Sequence, residues 1–88
     1  MNQTFLVERY WPDVTRETLA AALERGLTAQ EEMAREGRFV RHFQTTLIPA
    51  DEAVFSLFRA GSAADVAELN QRAAIPFDRI AEAISIED

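Results

Sequence analysis

Three side chains able to carry charge chemistry stand in apolar company along this sequence. Glu8 follows Phe5-Leu6-Val7, Glu82 falls among Ile80, Ile84 and Ile86, and His42, the one His of the chain, lies in Arg41-His42-Phe43-Gln44. Two carboxylates meeting on a half-buried face either share a proton, with one pKa raised, or hold a cation between them. The alternative is that each pairs with an Arg, with Arg9, Arg79 and Arg59 as candidates, and so avoids an unpaired buried charge. One imidazole with two carboxylates is the smallest facial donor set for Zn, Ni or Fe(II), which makes Glu8, His42 and Glu82 the candidate metal ligands. No His-x-Glu or His-x-His spacing reinforces the set, and a single His more often makes an ordinary surface hydrogen bond.

Tyr10 and Trp11 suit two roles: the wall of a small pocket for a planar ligand, or anchors of an interface, where Tyr and Trp are enriched. With Glu8, His42 and Glu82 they complete the candidate ligand-binding set. Arg38, Arg41, Arg59 and Arg72 have the chemistry for a carboxylate or phosphate, but beside so many acidic residues weak surface pairing is the default expectation. Met33 reads as core packing, and Asn70 as a bridge between backbone groups.

A formal net charge of −6 argues against a nucleic-acid partner, because phosphate binding needs a basic face that releases counterions. With no Cys there is no disulfide, thiolate ligand or Cys nucleophile. Three Gly residues do not build a phosphate-binding loop, and no Ser-His-Asp grouping is present, so no catalytic residue is assigned. No apolar run approaches the ~18 residues of a membrane span, and Met1-Asn2-Gln3-Thr4 does not open a secretory leader. A cytoplasmic location, no membrane partner, and either no cofactor or a weakly bound divalent metal are the expectations.

The elements that must position these residues follow from pattern. Thr4 to Trp11 alternates as a strand, with Phe5, Val7 and Trp11 on one side and Leu6, Glu8 and Tyr10 on the other. Thr15 to Glu36 is a long helix capped by Thr15 and closed by Gly37. Its inward stripe is Leu19, Ala22, Leu23, Gly26, Gln30 and Met33. Gly26 on that stripe costs ~1 kcal/mol of propensity, which close contact with a sheet would offset. Arg38–Ile48 and Ala53–Ala60 form a hairpin around Pro49-Ala50-Asp51-Glu52. Ser62-Ala63-Ala64-Asp65 is a capping box that starts a second helix with the stripe Val66, Leu69, Asn70 and Ala73, and Pro76 stops it. Arg79 to Ile86 is the last strand.

The order predicts one α+β domain over residues 1–88, a ferredoxin-like βαββαβ unit with a four-stranded antiparallel sheet and both helices on one face. Apolar residues on both sides of the first strand leave the other sheet face uncovered, which predicts a homodimer stacked through that open face.

The motifs Phe5-Leu6-Val7-Glu8-Arg9 followed by Pro12, Val54-Phe55-Ser56-Leu57-Phe58 running into Ala60-Gly61-Ser62, and Pro76-Phe77-Asp78-Arg79-Ile80-Ala81-Glu82 resemble a family of small bacterial ferredoxin-like proteins of unknown function that includes a nickel-binding protein. The resemblance covers nearly the whole chain and implies a dimeric ferredoxin-like domain. Family members often carry Cys where Ser56 stands and Pro where Gly61 stands, and the nickel binder has more His than this chain. The expected function is a small homodimeric ligand- or metal-binding protein. The alternative is a cofactor-free enzyme of the dimeric α+β barrel kind, a small monooxygenase or isomerase, with His42, Tyr10 or a raised-pKa Glu8 as acid or base.

Overall fold

The structure, a computed structural model, describes residues 2–86. Its elements are β1 (Gln3–Tyr10), α1 (Arg16–Arg35), β2 (Val40–Ile48), β3 (Ala53–Ala60), α2 (Ala63–Arg72) and β4 (Arg79–Ala83), with a 3₁₀ turn over Pro49–Asp51 between β2 and β3. The strands lie in the order β2-β3-β1-β4, and every neighbouring pair is antiparallel. This is the ferredoxin-like α+β arrangement that the element order predicts.

The core lies between the helices and one sheet face. Phe5 and Val7 of β1, Val40 of β2, and Phe58 and Ala60 of β3 meet Ala22, Ala29 and Met33 of α1 and Val66 and Leu69 of α2. The helices begin where their caps dictate: the Thr15 hydroxyl accepts from Thr18 N at 3.1 Å, and the Ser62 hydroxyl accepts from Asp65 N at 3.2 Å. Gly37, with φ of 81°, follows the end of α1 in the left-handed region that suits glycine.

Several local expectations are corrected. The Asp65 carboxylate does not return to its own cap; it accepts from Arg38 Nη2 at 2.5 Å. A Cβ at Gly26 would meet the Ile75 side chain at 3.6 Å, ordinary van der Waals contact, and not the sheet. The last strand ends at Ala83, and Ile84 and Ile86 are exposed, because β1 pairs with β4 only as far as Thr4 opposite Ala83.

An ion-pair network ties the helices together on the surface. Arg38 donates to Glu68 and Asp65, while Arg72 donates to Glu36 at 2.8 Å and to Glu68. These guanidinium donors hold the Glu68 carboxyl down at about 2, and Arg72 likewise lowers Glu36.

Candidate functional site

The alternation of β1 sends Phe5, Val7 and Arg9 to the helix side and Leu6, Glu8 and Tyr10 to the open face. Arg9 is therefore buried, at 3% exposure, on the apolar side of the strand. Its Nη1 donates to Pro76 O at 2.8 Å and its Nη2 to Ser56 Oγ at 3.4 Å. Among the described residues no carboxylate lies within ion-pair distance of it. Burial without a counter-charge pulls its pKa down to about 10, so it still carries its charge at neutral pH.

A polar chain runs outward from this cation. Ser56 Oγ lies 2.9 Å from Thr45 Oγ1, and Thr45 Oγ1 lies 2.5 Å from His42 Nε2, which is also 3.0 Å from Gln44 O. The His42 ring packs at 5.0 Å, centroid to centroid, on Phe58.

A β-bulge makes the chain possible. His42 pairs with Phe58 and Gln44 with Leu57, so Phe43 has no cross-strand partner and the parity of β2 flips after it. Simple alternation from Val40 would send Thr45 to the open face; the extra residue turns it inward, opposite Ser56.

Counting donors and acceptors assigns a direction to the chain. Ser56 is fully buried and accepts from Arg9, and the acceptor within its reach is Thr45, so the Ser56 hydroxyl donates to Thr45. A carbonyl faces His42 Nε2, which makes that nitrogen the N–H of a neutral ring, shared between Gln44 O and Thr45 Oγ1. Both neighbours of Thr45 then donate to it, and its own proton is left to point elsewhere.

Thr45 also borders a cleft. A surface cavity of about 510 Å³ opens between the first half of α1 and the second half of β2. Leu19, Ala20, Leu23, Leu47 and Pro49 supply its apolar walls, Arg16 stands at the N-terminus of α1, and Thr45 completes the lining. The site is thus a largely apolar groove lined by an exposed Arg and by Thr45, whose hydroxyl is linked through Ser56 to a buried cation.

The residues singled out by sequence are not assembled into one site. Glu8 lies on the open face and accepts from Arg79 Nε at 2.6 Å, its partner across the β1–β4 ladder. Glu82 pairs instead with Phe5, three residues further along, on the opposite face, where it accepts from Gln3 Nε2 at 3.3 Å. The two carboxylates therefore do not meet, and of the alternatives the pairing of Glu8 with an Arg is realised. His42 shares the helix side with Glu82 but stands three strand spacings away, roughly 14 Å at ~4.8 Å each. Tyr10 is 60% exposed on the open face, and Trp11 packs against the core. Arg9, Thr45 and Ser56 were not picked out as site residues; for Arg9 the signal was its shared parity with Phe5 and Val7.

Burial pushes the His42 pKa below its ordinary value, and the Arg9 charge adds to this against the opposing Gln44 hydrogen bond. A depressed folded-state pKa contributes stability above the unfolded value and loses it as pH falls. Melting temperature is therefore expected to decline below about pH 6.5 as His42 is forced to protonate. A second decline is expected below about pH 4.3, as Glu36 and Glu68 take up protons. Calorimetric melting of wild type and His42→Asn from pH 8 to 3 checks this, the variant lacking the first step.

A four-stranded antiparallel sheet with two helices on one face and a polar chain running through its core defines a small ferredoxin-like α+β protein. A family model described as "Nickel responsive protein SCO4226-like" matches residues 5–83, and the chain belongs to that family. Among solved structures it is similar to SCO4226 from Streptomyces coelicolor A3(2), with a TM-score of 0.80 and 24% identity over 94% of this chain and 99% of that one. At that identity the likeness speaks for the fold. No curated protein matches the chain.

The donors of a single chain do not fit a nickel centre. Among the described residues no three His, Asp or Glu side chains converge, and the one imidazole has its Nε2 engaged by Gln44 O and Thr45.

Proposed function

We propose that this chain is a small homodimeric ligand-binding protein, two copies stacking through their open sheet faces, and that its ligand is a small organic acid held in the cleft between α1 and β2. The observation that carries the reading is the chain Arg9–Ser56–Thr45, which leaves a polarised hydroxyl proton for an acceptor at an otherwise apolar groove. A carboxylate would accept that proton and be favoured by the Arg16 charge, while an aliphatic or aromatic body would cover Leu19, Leu23 and Leu47. The dimer rests on the composition of the open face, where Leu6, Phe55 and Leu57 are half-buried at its centre and Tyr10 and Ile48 are exposed around them.

Octanoate serves as the probe. Calorimetric titration is expected to give saturable binding to wild type and about fivefold weaker binding to Thr45→Val, the loss of one hydrogen bond of ~1 kcal/mol. Equal affinity in the two proteins, both folded by their melting curves, would remove Thr45 from the site.

The family's description favours a second reading, a link to nickel. With its carboxylates dispersed and its one imidazole engaged, the chain is expected to hold divalent metals loosely, mainly through exposed carboxylates and water. Competition with a chromophoric chelator should show Ni affinity weaker than micromolar in wild type and unchanged in His42→Ala. Sub-micromolar affinity lost in that variant would mean that His42 ligates metal, with donors supplied by a second copy. The cofactor-free enzyme reading draws less support, since the cleft is a surface groove whose ionisable lining residue is an Arg, a poor general base.

A further inference from the structure

On the opposite face of the sheet from the cleft, two cations stand side by side. Arg41 of β2 is paired in register with Arg59 of β3, and Arg59 in turn with Thr4 of β1. Residues directly opposite on one sheet face have their Cβ atoms ~5 Å apart, and like charges there destabilise the sheet. Among the described residues neither Arg41 nor Arg59 has an ion-pair partner, although the chain carries an excess of acidic residues. By contrast Arg38, Arg72 and Arg79 are all held by carboxylates. Both Arg residues border a cavity of about 380 Å³, completed by Thr4, Phe43 and Ser85, with no carboxylate of the described residues in its lining.

We propose that this cavity is an anion site for a phosphate monoester. Two planar guanidinium groups offer forked donors that match the oxygens of a doubly charged phosphate and cancel the repulsion that the empty pair carries. The Thr4 and Ser85 hydroxyls add neutral donors. Phe43, the residue that the β2 bulge leaves without a cross-strand partner, is 44% exposed and gives an aromatic wall for the organic part of the ester. The site lies on the open sheet face, where the Thr4–Arg59–Arg41 row stands next to the Leu6–Leu57–Gln44 row at the centre of the proposed dimer, so it borders that interface. It shares no residue with the cleft between α1 and β2, so the two sites stand or fall separately.

The probe is phenyl phosphate, compared with benzoate and inorganic phosphate by calorimetric titration at constant ionic strength. Phenyl phosphate is expected to bind at least about tenfold tighter than benzoate, because it places two charges on two cations, and several-fold tighter than inorganic phosphate, because of Phe43. Arg41→Gln and Arg59→Gln should each weaken phenyl phosphate at least about tenfold. Both variants should melt no lower than wild type in the absence of ligand, since each relieves a like-charge contact. The result separates loss of the site from loss of the fold. Absence of saturable binding to wild type at millimolar concentration, or binding unchanged in both variants, overturns the proposal. So does binding that appears only in the Glu87→Gln, Asp88→Asn double variant, which would make the acidic residues after Ser85 the occupant of the site.

Discussion

Arg9→Ala is expected to lower the unfolding free energy by about 3 kcal/mol or more, combining a cavity at a buried position with unsatisfied partners. The guanidinium reaches from β1 to Pro76 O in the segment between α2 and β4 and to Ser56 on β3, so truncation strips the buried Ser56 hydroxyl and the partly buried Pro76 carbonyl of their donor. Arg9→Met has a different expected outcome. It keeps most of the volume and removes a buried charge that has no counter-ion among the described residues, and such replacements are often neutral or stabilising. Its melting temperature should stay within a few degrees of wild type, while octanoate affinity falls because Ser56 no longer polarises Thr45. Chemical denaturation of both variants, with titration of the folded Arg9→Met protein, makes the comparison. If Arg9→Met loses as much stability as Arg9→Ala and binds octanoate like wild type, Arg9 is a structural clamp for the Pro76 segment alone.

The second large effect concerns assembly. Wild type is expected to scatter light as twice the mass of one chain at micromolar concentration, and Leu57→Asp as a single chain. Leu57 lies on the inner strand β3, opposite Leu6 on one side and Gln44 on the other, at the middle of the open face. A carboxylate buried there between two stacked sheets would be desolvated without a partner, at a cost of several kcal/mol per copy. On a free monomer surface the same substitution is nearly neutral. A wild type that stays a monomer at that concentration, or a Leu57→Asp protein that stays a dimer, would place the interface elsewhere or remove it.

The fold was legible because each level of the sequence agrees. The periods of β1, α1 and α2, the Thr15 and Ser62 caps, Gly37 and the turn at Pro49 all point to the same order of elements. Met33 and Asn70 are buried on the stripes that helical spacing assigns them. The site was less legible, for two physical reasons. Register is a tertiary property: a three-residue offset between β1 and β4 separates Glu8 from Glu82 and sends them to opposite faces. The bulge at Phe43 is equally invisible to alternation, yet it decides that Thr45 joins Ser56 and His42 on the helix side of the sheet. What could be read was the parity of Arg9. Adjacent strand residues face opposite ways, so Arg9 was never a possible partner for Glu8 within the strand and had to be buried beside Val7. Ile84 and Ile86 mislead in the other direction, since apolar alternation continues past Ala83, where the β1–β4 ladder ends.

An organic acid held in the cleft between α1 and β2 through the Thr45 hydroxyl would perturb the residues that line it. The most direct test of that binding is the mapping of backbone amide shifts in the ¹H–¹⁵N spectrum during titration with octanoate, on wild type and on Thr45→Val. Saturable shifts are expected to concentrate at Arg16, Leu19, Leu23, Thr45 and Leu47, with the same residues affected at several-fold higher ligand concentration in the variant. Shifts confined to the open face around Leu6 and Leu57, or no saturable shifts at all, would contradict binding in the cleft.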